Sequence, residues 1–211
     1  MVGGDGLKTK MPDSRTLFCI TYPRHGLHFL RENLPKRSGI FNIVFQHDFD
    51  NSKDNSVALE NDIVLTVIRN PIEAIASQII SGLEINDSGE EITKILWVTE
   101  TVKKQIPEYI QSYAETYDDL YNHKKLMVVD FRAFERNPSF AFNYIIRSLG
   151  STGEVNDFIM PKSDKDFIAT SKKNQFYEYC YNEVKNHKDI DIAFKSYSLL
   201  AKRLYQTIDL N

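Results

Sequence analysis

Residues 21–28 read Thr-Tyr-Pro-Arg-His-Gly-Leu-His and sit between an apolar run and a segment with helical apolar spacing. A strand-to-helix loop containing Gly26 offers backbone N–H groups and the positive end of a helix dipole, and Arg24 adds a fixed charge; together they suit a phosphate or sulfate. The same stretch also reads as a plain turn, with Gly26 bending the chain and Arg24 in solvent. A second polar junction follows at Arg69-Asn70-Pro71. Ser77 lies about two helical turns beyond Arg69 at ~3.6 residues per turn, so one anion beside that helix can meet a guanidinium and a hydroxyl. Alone, Ser77 reads as a helix-surface serine. His47, in Gln46-His47-Asp48, reads on its own as a polar strand end with a locally hydrogen-bonded imidazole.

The elements that would position these residues follow from periodicity. Residues 16–22 (TLFCITY), 41–45 (FNIVF), 62–68 (DIVLTVI) and 125–131 (KLMVVDF) read as strands. The third is apolar almost throughout, as a strand buried on both faces is. Helical spacing recurs over 27–34, over 71–80 with Pro71 in the first turn and Glu73 near the N-terminus, and over 138–149 before Gly150. It recurs again over 172–185 and 190–207. Between 90 and 121 it predicts two helices or one bent at Pro107. Strands alternating with helices predict an α/β fold, three-layer α/β/α with a mainly parallel central sheet, whose ligands bind at the carboxyl ends of the strands. Both polar junctions stand at such ends. The Gly-rich start, residues 1–14, reads as a flexible leader, and 15–211 as a single domain.

Composition narrows the chemistry. The chain has 211 residues, 42% hydrophobic and 26% charged, with a formal net charge of -3, so no bulk electrostatic footprint for nucleic acid exists and any anion site is local. No apolar run reaches the ~20 residues of a membrane span, and no secretory signal opens the chain, which predicts a cytoplasmic protein. Cys19 and Cys180 form neither a disulfide framework nor a ligand set, and the five histidines lack zinc-helix spacing, so no metal is expected. The loop lacks G-x-x-x-x-G-K-S/T, which disfavours an ATPase, a GTPase or a P-loop phosphotransferase.

Two linked segments carry a family resemblance. Thr21-Tyr22-Pro23-Arg24-His25-Gly26-Leu27-His28 resembles the T-Y-P-K/R-S-G-T-T/H loop of sulfotransferases that use 3'-phosphoadenosine 5'-phosphosulfate (PAPS). Arg69-Asn70-Pro71-x-Glu73-x-x-x-Ser77 is similar to their R-D/N-P-x-D/E-x-x-x-S element. The resemblance implies a P-loop-like sulfotransferase fold. It implies that the loop of Arg24, His25, Gly26, Leu27 and His28 holds the 5'-phosphosulfate, and that Arg69 and Ser77 hold the 3'-phosphate. His47, which precedes Arg69 by 22 residues, takes the position of the base that removes the acceptor's proton. Phe29 takes that of the aromatic stacking on adenine. Phe131, in Asp130-Phe131-Arg132-Ala133-Phe134-Glu135-Arg136-Asn137-Pro138, resembles the aromatic of a later Y-E-D-x-x-x-x-P segment. Ser171-Lys172-Lys173 resembles a segment that closes over the cofactor, bringing Lys172 to it.

The implied reaction is sulfuryl transfer from PAPS to a hydroxyl or amine of a small-molecule or carbohydrate acceptor, with His47 and Arg24 catalytic and 3',5'-phosphoadenosine (PAP) leaving. The sequence departs from the pattern three times, and His25 stands where the family usually has a serine. Arg24 stands for the usual lysine and remains charged, a stabiliser of the leaving phosphate rather than a proton donor. Leu27 stands for a threonine and leaves only its backbone N–H. An alternative follows from these departures: a nucleotide-binding protein on the same scaffold, weakened in catalysis. His28 either faces the site or simply opens the helix. The Tyr-rich tract 176–181 either packs a helix face or walls an acceptor pocket.

Overall fold

Alternate residues of each strand are committed to opposite apolar layers. Leu17, Cys19, Ile63, Leu65, Val67, Met127 and Val129 enter one core, whereas Ile20, Val64, Ile68, Leu126 and Val128 enter the other. This is the period-2 alternation of a sheet covered on both faces. The computed structural model describes residues 16–23, 26–34, 42–46, 62–82, 91–150 and 171–208, the side chains of 28, 81–82, 91–98 and 171–175 excepted. The leader at 1–14 lies outside them.

The described elements are β1 (Leu17–Ile20), α1 (Leu27–Asn33), β2 (Ile43–Gln46), β3 (Ile63–Ile68), α2 (Pro71–Gly82), α3 (Glu91–Tyr121), β4 (Leu126–Asp130), α4 (Phe131–Arg136), α5 (Pro138–Ser148), α6 (Ser171–Lys185) and α7 (Ile190–Ala201). The sheet runs β2-β1-β3-β4 with every pair parallel, and β3 is buried along its whole length. The fold is therefore α/β with three layers. On one face, α1, α4 and α5 pack through Leu30, Phe134, Phe142 and Ile145; on the other lie α2, α3, α6 and α7. From β1 the chain turns one way to β2 and then crosses to β3 on β1's other side. The carboxyl ends of β1 and β3 thus flank a reversal of strand order, where open parallel sheets bind ligands.

Of the two arrangements expected around Pro107, the structure has the single helix, of 31 residues, and two other elements differ from the sequence expectation. Pro107 and Lys103, whose carbonyl loses its partner, are both exposed, so water can satisfy that oxygen. Val102, Ile106, Ile110, Tyr113, Tyr117 and Leu120 keep an unbroken buried stripe along the helix. The first difference is α4, which starts at Phe131 where the strand was expected to end. Asp130, the last residue of β4, turns its side chain to accept a hydrogen bond from the Arg132 N–H at 3.1 Å, a capping role suited to aspartate.

The second difference is the end of α7 at Ala201 instead of 207. Arg203 turns back to donate to the carbonyls of Tyr121 and His123 at 2.6 and 2.8 Å, closing the C-terminus of α3. Tyr205 adopts a left-handed φ of 54°, and its N–H joins the Val128 carbonyl at 3.1 Å. Residues 204–208 thereby leave the α7 layer, bridge to β4 and bury Ile208 in the opposite core. This strap covers the β4 edge, whose backbone groups would otherwise pair with another strand.

Candidate functional site

The register of β3 against β4 builds the centre of the site. Ile68 lies opposite Asp130, so the next residues in each chain, Arg69 and Phe131, leave the sheet side by side. The Arg69 guanidinium carbon rests 4.6 Å from the centre of the Phe131 ring, a cation–π contact. From the β1 side, Gly26 reaches the same ring: a methyl group placed on its Cα would meet Phe131 Cε2 at 3.5 Å. The two polar junctions of the sequence converge on one phenyl group.

Each junction is held by its own chemistry. Gly26 has a φ of 83°, the left-handed region in which glycine bears no Cβ penalty, and its carbonyl accepts from the Leu30 N–H at 3.1 Å. As the residue before α1 it brings no side chain to the first-turn N–H groups, which leaves that side of the turn to backbone chemistry. The start of α2 is closed instead. Asn70 Oδ1 accepts from the N–H groups of Ile72 and Glu73 at 3.0 and 3.5 Å. An anion at this junction must therefore be held by side chains rather than by the helix end.

Arg69 is fixed from three directions. Its carbonyl accepts the Tyr113 hydroxyl at 2.6 Å, its Nε donates to Glu73 Oε2 at 3.5 Å, and its guanidinium lies on Phe131. Tyr113 is fully buried, its ring 5.1 Å from that of Tyr22 at the end of β1, so it ties both strand ends to α3. Tyr117 repeats the device one turn on, donating to the Val67 carbonyl at 2.9 Å. Burial pushes the Tyr113 phenol well up, which keeps it a donor. Replacing Tyr113 with phenylalanine keeps the packing and strands the Arg69 carbonyl. The expected cost is about 1–2 kcal/mol of unfolding free energy in urea titrations, with the β3 end loosened.

Glu73 is shared. Its Oε1 accepts from Arg132 Nη2 at 3.2 Å while Oε2 takes Arg69. One carboxylate thus bridges two guanidiniums, from the ends of β3 and β4. Ser77 stands four residues beyond Glu73 in α2 and is half-buried like it, on one stripe with Arg69 and Glu73 at spacings of four. Above them α6 packs on α2. Burial pushes the Tyr177 phenol up, while the Arg69 charge pulls it down. Burial likewise raises Tyr197 of α7, with Asp130, Arg132 and Glu73 as its charged neighbours.

The structure therefore brings together Gly26, Arg69 and Phe131, with Ser77 in α2 four residues beyond Glu73. Leu27 is 2% exposed, its side chain in the core, so any contact with a ligand is through its backbone. Phe29 is buried too, edge-on to Phe134 and Phe142 at 5.5 and 5.4 Å, where it buttresses α1 instead of lining the junction. Arg24, His25 and His47, and the side chains of His28 and Lys172, lie outside the described residues. Sequence reasoning gave no site role to Glu73, Arg132 or Tyr113. The spacing of Arg69 and Glu73 by four on a helix start was a legible signal; the contacts of Arg132 and Tyr113, from distant elements, had none.

No family model and no curated protein matches the chain. Among solved structures it is similar to mouse sulfotransferase SULT7A1 complexed with PAP, at 12% identity and a TM-score of 0.49, over 88% of this chain and 89% of that one. Among the described residues no helix is long and apolar enough to cross a membrane.

Proposed function

We propose that the chain is a PAPS-dependent sulfotransferase whose donor nucleotide spans the ends of β1 and β3. The observation that carries this reading is the convergence of Gly26 and Arg69 on the Phe131 ring. A flat apolar surface with backbone N–H groups on one side and a guanidinium on the other suits a purine nucleotide with phosphates at both ends. The residues present fit that group. Arg69, with Ser77 on the same stripe of α2, would take the 3'-phosphate, and the backbone after Gly26 together with Arg24 and His25 the 5' end. Phe131 would offer the ring that the buried Phe29 does not.

When bound, PAPS supplies a sulfuryl group on a phosphate anhydride. His47 then serves as the base, taking at an imidazole nitrogen the proton of the acceptor's hydroxyl or amine. Arg24 and the loop N–H groups neutralise the charge that grows on the departing phosphate, and such preorganised donors carry much of the rate enhancement in charge-building reactions. Lys172, at the start of α6, would close over the nucleotide, and Tyr177 would wall the acceptor side. The acceptor is a small molecule or carbohydrate. Work in the cytoplasm suits the two free, buried cysteines, a state that a reducing compartment preserves.

A second reading is favoured by Leu27, whose buried side chain supplies no hydroxyl to a phosphate: nucleotide binding without transfer. The test joins thermal stability to product formation. Sulfotransferase function predicts that PAP and PAPS raise the melting temperature, that ATP does not, and that labelled donor yields a sulfated acceptor. Stabilisation with the donor left intact across an acceptor panel selects the binder; stabilisation by ATP alone rejects both readings.

A further inference from the structure

The sharing of Glu73 raises a question that the Arg69 reading leaves open: what Arg132 does. Its side chain is 50% exposed, and among the described residues its guanidinium has one hydrogen-bond partner, Glu73, at 3.2 Å. A guanidinium carries five N–H donors in a rigid fork. Most of that fork is therefore uncommitted, beside the carboxylate that also pairs with Arg69. The Glu73 hydrogen bond and charge push Arg132's pKa up still further, so the group is a permanent cation.

The local charges decide its importance. Among the described residues the junction holds two guanidiniums, Arg69 and Arg132, against two carboxylates, Glu73 and Asp130, and Asp130 is held in place by capping the Arg132 N–H. With all four ionised the cluster is neutral. Without Arg132 these described groups are negative by one, and among them Arg69 alone would draw a phosphate past two carboxylates. A phosphate carries more charge than one cation offsets, and attraction between close ions at a partly buried site is weakened by a single opposing charge.

We propose that Arg132 is a second cation for the phosphate seated at Arg69, held at the junction by the Glu73 bridge, so that the pair takes a dianion which Arg69 alone would bind weakly. The proposal rests on the nucleotide-binding reading above and names a positioning and specificity residue within it. Glu73 spans the two arginines, and Phe131, adjacent to Arg132 in α4, lies under the Arg69 guanidinium. The start of α4 thus brings a flat ring and a charged fork to the same point.

The experiment is calorimetric titration of the full chain, its Arg132→Gln variant and its Arg132→Lys variant with PAP and with adenosine 5'-monophosphate, which lacks the 3'-phosphate. The half-exposed side chain makes few packing contacts to lose, and equal melting temperatures of the three proteins verify that they are folded. Arg132→Gln is expected to weaken PAP binding about tenfold, the scale of one charge-assisted contact, leave the monophosphate unchanged, and be largely rescued in Arg132→Lys, which restores the charge. An unchanged affinity ratio between the nucleotides, or an equal loss for both, overturns the proposal. A parent chain that does not prefer PAP to the monophosphate removes the functional reading, and this proposal with it, before any variant is made.

Discussion

Arg69→Ala is expected to lower affinity for PAP about a hundredfold, while binding of adenosine 5'-phosphosulfate, which has no 3'-phosphate, falls by no more than a fewfold. The estimate takes the upper part of the range for hydrogen bonds to a charged group, about 3 kcal/mol, because the side chain is only 17% exposed and solvent screens it little. The variant also releases Glu73 from its nearer partner, leaving a carboxylate close to where the phosphate would sit. Calorimetry of both nucleotides gives the decisive ratio. Loss of both ligands to the same degree would mean that Arg69 supports the fold of the junction rather than the 3' end, a role already visible in the Tyr113 bond to its carbonyl.

The second large effect concerns turnover. His47→Ala is expected to leave PAP binding intact and reduce transfer by about 10²–10⁴-fold, the usual contribution of a positioned general base. His47 directly follows β2, which pairs with β1 so that Gln46 lies opposite Ile20. The register sets the carboxyl end of β2 at the same end of the sheet as the carboxyl end of β1, the strand that leads to the Gly26 turn. Initial rates with labelled donor, at donor concentrations above saturation for both proteins, separate chemistry from binding. Full turnover in the variant would show that another group takes the proton.

The sequence was most informative where one physical signal dominated. The apolar run of β3 announced a strand buried on both faces, and Pro71 after Asn70 announced the start of α2; both stand where expected. Pro107 left two helices and one bent helix open, because the local cost of proline is visible in sequence while the buried stripe that carries one helix through it is not. The short helix after Asp130 was hidden because six residues give too little periodicity to register. For the site, the residue types at 26, 69 and 77 were legible as anion chemistry. The meeting of Gly26 and Arg69 on Phe131 was not, since it depends on the parallel register that sets Ile68 beside Asp130. Phe29 shows the opposite case. Its place after the loop suggested a stacking face, but its side chain is drawn into the core by Phe134 and Phe142.

The central claim is that the turn at Gly26 and the guanidinium of Arg69 hold opposite ends of one nucleotide. A crystal structure of the chain grown with PAP tests it directly. The account predicts one molecule across the ends of β1 and β3, its 5'-phosphate at the Gly26 turn, its 3'-phosphate on Arg69, and its adenine or ribose against the Phe131 ring. A nucleotide bound elsewhere on the chain, or bound here with Arg69 still paired to Glu73 and touching neither phosphate, would contradict it.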